Sequence, residues 1–139
     1  MQPAAPPAGQ REPLRTGLRI LLTALGAVAL VAGLYTVLTG NGGMPGDSRA
    51  SANVESELRF YSAFWAGFGA LALYASRRPE REAALLRGLA LFLFLGGVAR
   101  VLAWLASSRP DSPYLVLMGL ELTLPLFLVW AQSRVGSRA

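Results

Sequence analysis

The chain has no cysteine and no histidine, and all of its basic residues are arginine. Without cysteine there is no disulfide and no thiolate metal site. Without histidine there is no imidazole base or ligand. The sequence is also short of charge: only 15% of its 139 residues are charged, against a hydrophobic fraction of 53%. That ratio lies above the usual range for soluble domains. The few charges are gathered into clusters, and uninterrupted apolar runs fill the intervals.

Four such runs are present, at about 18–38, 58–75, 84–106 and 114–131. A helix needs about 20 mainly apolar residues to cross a bilayer, and each run is close to that length. The expectation is an all-α integral membrane protein, a four-helix transmembrane bundle over 17–133. Residues 1–16, Pro/Ala-rich at their start, are expected as a disordered cytoplasmic tail. Residues 134–139 form a second cytoplasmic tail. The apolar core of the first run is longer than that of a cleavable signal peptide, so it reads as a retained anchor.

The net charge of +5 raises the question of nucleic acid or acidic partners, and the placement of the charges argues against them. Arg11, Arg15 and Arg19 precede the first run, Arg77, Arg78, Arg81 and Arg87 surround the junction of the second and third, and Arg134 and Arg138 follow the fourth. The two other loops hold Arg49 and Arg109 alone. The positive-inside rule then puts both termini in the cytoplasm. The partner is the lipid bilayer, whose anionic head groups satisfy the basic clusters. The arginine-only, Ala/Gly/Leu-rich usage fits a GC-rich bacterial source and hence an inner membrane.

Within the runs, Gly and Ala recur four apart in the second (Ala63 with Gly67, Ala66 with Ala70), a spacing that permits close helix approach in lipid. Ser51 and Asn53 are N-cap types for that helix. Pro110 and Pro113 bracket a short turn between the third and fourth runs, which makes those two helices antiparallel neighbours. Pro125 lies inside the fourth run and frees the carbonyl of Glu121.

Arg100 and Glu121 are the exceptional residues, because charges in hydrocarbon are costly and mark partners or functions. At about 1.5 Å per residue, both lie roughly 9–10 Å from the turn that joins their helices, so they can meet. Glu57, Tyr61 and Trp65, spaced four apart, and Arg59 beside them would add an outer rim from the second helix. The candidate polar or ligand site is therefore Glu57, Arg59, Tyr61, Trp65, Arg100 and Glu121. The competing structural account makes Arg100 a snorkelling side chain or half of a helix-pairing ion pair. No nucleophile–base spacing, metal set or phosphate loop is present, so no cofactor is expected and an enzyme is disfavoured. Three functions remain in order: an accessory protein binding a small lipophilic ligand, with either that ligand or another membrane protein as partner; a small proton-coupled transporter using Glu121; and a membrane enzyme acting on a lipophilic substrate. Oligomeric state is open.

Three stretches carry a family likeness: Glu57-Leu58-Arg59-Phe60-Tyr61 followed by Trp65-Ala66-Gly67, then Leu95-Gly96-Gly97-Val98-Ala99-Arg100, then Glu121-Leu122-Thr123-Leu124-Pro125. Together they resemble an uncharacterised bacterial family of small four-span membrane proteins, a domain of unknown function. The resemblance would cover about residues 17–133. It implies the same bundle and an inner-membrane location, and it supplies no reaction.

Overall fold

The computed structural model describes residues 8–44 and 49–136, and among them all regular structure is helical. Helix α1 is Ala8–Thr39, followed by a 3-10 turn at Gly40–Gly43. Helix α2 is Ala52–Ser76, α3 is Ala83–Ala106 and α4 is Ser112–Val135. Three of these helices, α1, α3 and α4, are long and apolar enough to cross a membrane. The fourth expected span, α2, has the length, since 25 residues rise about 37 Å. It falls short in apolarity, because Arg59, Tyr61, Ser62 and its glycines dilute the hydrophobic run.

The chain separates into two compact units, residues 19–77 and the remainder. In the first, α1 and α2 are joined by their smallest residues. A Cβ added at Gly26 would lie 2.9 Å from the Gly69 carbonyl oxygen, one at Gly33 would strike the backbone of Ser62 and Ala66, and one at Gly69 would strike Leu30. As the position on α1 rises from 26 to 33, its contact on α2 falls from 69 to 66 and 62, so the helices run antiparallel. Leu22, Gly26, Ala29 and Gly33 are buried at intervals of three and four residues, as one helical face requires. On α2 the buried positions include Ala66, Gly69 and Ala72. The expected pairs differ: Ala63, Gly67 and Ala70 are exposed, and nothing approaches a Cβ at Gly67. Residues four apart along one helix matter only where a neighbour also lacks side chains, and Gly26 and Gly33 fix that register.

The second unit contains the α3/α4 hairpin. On α3, Leu86, Ala90, Leu93 and Gly97 are buried, and Arg100 continues the same series of alternating four- and three-residue steps. On α4 the series is Glu121, Pro125, Leu128 and Gln132, all buried. A Cβ at Gly97 would lie 2.9 Å from the Leu122 side chain and 3.2 Å from the Glu121 carbonyl carbon, so glycine there sets how closely α4 approaches. Helix α4 runs unbroken through Pro125.

Local signals explain the ends. Ser51 caps α2, its hydroxyl accepting from the Val54 N–H at 3.4 Å, while Asn53 lies inside the helix. Asp111 precedes α4, and Pro113 occupies its first turn, where its missing N–H costs nothing. Pro79 is buried in the turn that follows α2 rather than in α3. The largest difference is at α1, which begins at Ala8, inside the stretch expected as a tail, and carries Pro13 in its interior. Side-chain ties favour helix there. Arg15 donates from Nε and Nη2 to the two Glu80 carboxylate oxygens at 3.1 and 2.9 Å, and its Nη1 lies 3.6 Å from Glu12 one turn earlier. Residues 1–7 and 137–139 lie outside the described residues, the latter being half of the expected C-terminal tail, whose first two residues continue α4.

Candidate functional site: an arginine–glutamate pair on the hairpin

Arg100 and Glu121 meet. The guanidinium Nε donates to Glu121 Oε2 at 2.7 Å, a charge-assisted length. Burial across the pair is unequal: the Glu121 side chain is 7% exposed and that of Arg100 is 35% exposed. The acid sits in the helix–helix seam, and the base points from the seam outward. Its carbon Cζ lies 5.9 Å from the centre of the Tyr114 ring, near the start of α4, so the guanidinium leans toward the turn end of the hairpin. Gly96, one residue before the seam glycine, is exposed. A Cβ built on it would find only the Glu121 carboxylate, at 3.7 Å from Oε2. A side chain at position 96 would therefore lie against the Glu121 carboxylate.

Arg59 is placed differently. Its Nε and Nη2 donate to Glu55 Oε1 at 3.0 and 2.8 Å, and its Nη1 donates to the carbonyls of Val37 and Leu38 at 2.6 and 3.2 Å. Glu55 Oε2 accepts from the Asn41 N–H at 3.0 Å. Arg59 thus caps the last carbonyls of α1, which have no partners within their own helix. Glu55 in turn holds the 3-10 turn against α2. Hydrogen bonds from Asn41 and Arg59, with the Arg59 charge, hold the Glu55 carboxyl below its ordinary value of 4.5 against the opposing effect of burial. Gly40 adopts φ of +60° at this point, and any side chain there would collide with Glu55.

Glu57 and Tyr61 are exposed, and Trp65 is half-buried. Trp65 is stacked on Phe68 one turn along, with ring centres 4.9 Å apart and planes 8° from parallel. The structure therefore brings Arg100 and Glu121 together, binds Arg59 to Glu55, and spends the Trp65 ring on packing. Glu55 and Asn41 were not among the expected site residues. The usable signal was the i,i+4 spacing of Glu55 and Arg59 with the acid on the N-terminal side, the favoured orientation on a helix.

Among the described residues, then, the protein is all helical, with three helices apolar enough to cross a membrane and an Arg–Glu pair in the seam of the last two. The chain belongs to the family described as a domain of unknown function, DUF4345, which matches residues 17–132. The match runs from within α1 to the last turn of α4 and includes both members of the pair. No curated protein and no solved structure matches the chain.

Proposed function

We propose that this protein is a four-span bacterial inner-membrane protein, with both termini in the cytoplasm, that binds a small lipophilic ligand through a polar site at Arg100 and Glu121. It is a binding or accessory protein rather than an enzyme. Four crossings are supported by the antiparallel contact between α1 and α2, which extends from Gly26 and Gly69 to Gly33 and Ser62. A helix lying alongside a spanning helix over that length shares its passage through the bilayer. Its polar groups are also satisfied: Ser62 donates to the Leu58 carbonyl, and Arg59 bonds within the α1/α2 unit. An even number of crossings places the arginine clusters on one side, as the positive-inside rule asks. Because the chain has no native cysteine, single cysteines at positions 41, 80 and 110 test the topology. Membrane-impermeant thiol labelling from outside should reach 41 and 110 and spare 80.

The observation that carries the ligand reading is the half-exposed Arg100 guanidinium held by a buried carboxylate. A pair serving helix association alone gains from closing both partners to each other, whereas this one presents donors outward. The transporter reading draws on Pro125 and Glu121, and the continuity of α4 gives it no broken helix at which to form a coupled site. A melting screen of purified protein against lipophilic compounds tests the proposal. Stabilisation by at least one compound class, lost in Arg100→Gln, is expected; a screen in which wild type and variant respond alike rejects it.

A further inference from the structure

Three arginines in the described residues pair with glutamate, and they differ in how their donors are used. Arg15 uses Nε and Nη2 on Glu80 and sets Nη1 near Glu12. Arg59 uses Nε and Nη2 on Glu55 and Nη1 on two carbonyls. Arg100 donates from Nε alone, to Glu121. Its terminal edge, formed by Nη1 and Nη2, makes no hydrogen bond with any described residue. That edge is the fork that matches two oxygens of a carboxylate or phosphate.

We propose that the terminal edge of Arg100 receives the oxyanion of an amphiphilic acid, a carboxylate or a phosphate, with the apolar tail lying along the lipid-facing side of the α3/α4 hairpin. This assignment rests on the ligand reading given above and narrows it to one chemical class. Glu121 acts as a positioning residue: by holding Nε from within the seam, it turns Nη1 and Nη2 outward. Tyr114 covers the guanidinium from the side, which leaves the edge as its open approach. Phe92 and Trp104, within a quarter turn of Arg100 around α3, are exposed and supply apolar surface for a tail. The added anion shares its guanidinium with a carboxylate already in place. The 35% exposure of the Arg100 side chain allows the remaining oxygens of such a head group to stay hydrated, so the second negative charge is not stranded in hydrocarbon.

Dodecyl phosphate and dodecanol, which share a tail and differ in head group, are suitable probes. Each would be titrated into wild-type protein in nonionic micelles. Wild type is expected to favour dodecyl phosphate by roughly tenfold or more, the worth of a charge-assisted hydrogen bond. Arg100→Lys keeps a cation opposite Glu121, and so keeps the fold, but lacks the second edge; it should lose most of the preference. The double change Arg100→Gln/Glu121→Gln removes both charges together and should abolish it, while Arg109→Gln, on the exposed turn, should leave it intact. Equal binding of both probes in wild type, weakened in the double variant, overturns the oxyanion class and leaves the ligand site standing. Binding of both probes that no variant alters overturns the class and the site together. Competition by phosphatidylglycerol supports the class with a bilayer head group as the source, and undiminished dodecyl phosphate binding in its presence supports it with a free amphiphilic acid.

Discussion

At the scale of single residues, burial and hydrogen-bond capacity separate the charges that close a structure from those left open to act. Glu121 is the one acid among the described residues to be buried, and its only hydrogen-bond donor among them is Arg100. Removing that donor as Arg100→Ala leaves a carboxylate in the seam without a counter-charge. The expected cost is about 2–3 kcal/mol, below the full penalty for a buried pair because Arg100 is partly exposed, and it is read as lowered melting in detergent. Gly40 is a second diagnostic position. Its left-handed backbone and the nearby Glu55 carboxylate both exclude a side chain, so Gly40→Ala should destabilise by about 1–2 kcal/mol, measured by denaturant unfolding. Arg100 and Glu121 were legible from the sequence because the short loop let depth be counted from one shared end. The Glu55–Arg59 clamp was not, because the four-residue ladder of Glu57, Tyr61 and Trp65 is equally regular on paper. The carbonyls of Val37 and Leu38, which decide where Arg59 turns, leave no mark in a side-chain pattern.

At the scale of elements, helix contacts in this chain depend on where side chains are absent. Gly26, Gly33 and Gly69 bring α1 and α2 into backbone contact, and Gly97 does the same for α3 and α4. Gly69→Leu should force α1 and α2 apart and cost about 1–3 kcal/mol as overpacking. Gly67→Ala, two residues earlier on the same helix, faces open space and should leave melting unchanged or slightly raised. The helices themselves were readable, since Pro and Ser clusters mark their ends and apolar runs fill them. The choice of packing face was not, because alanine and glycine are common all round α2. The early start of α1 was hidden for a related reason: proline and alanine suggest a tail, and the ion pair that extends the helix joins residues 65 apart. That ion pair titrates. Burial raises the Glu80 carboxyl, but its own backbone N–H and the Arg15 guanidinium outweigh burial and hold it below its ordinary value of 4.5. A carboxyl whose folded value lies below its unfolded one stabilises fully above the unfolded value, and the contribution fades as pH falls through the folded one. Glu80→Gln should therefore cost no more than about 1 kcal/mol at neutral pH, given the exposure of the bridge. The difference from wild type should shrink as the pH is lowered from 4.5, followed by melting across an acid series.

At the scale of the whole molecule, most arginines cluster in the first part of α1, around the turn from α2 to α3 and at the end of α4, and among the described residues one ion pair lies in the seam of α3 and α4. That distribution was plain from the sequence, and the family match over residues 17–132 agrees with the likeness read there over about residues 17–133. Helix α2 has the length of the other helices but not the apolarity of α1, α3 and α4. The central claim is that the Arg100–Glu121 pair serves a ligand as well as the fold, and exchanging the two charges separates these roles. Wild type, Arg100→Glu, Glu121→Arg and the double exchange would be compared for melting and for dodecyl phosphate binding in the same detergent. The account predicts that each single change lowers melting, and that the double exchange recovers most of it without recovering binding, because the outward-facing group is then a carboxylate. A double exchange that restores melting and binds dodecyl phosphate as wild type does would contradict it, and would leave the pair as a link between two helices.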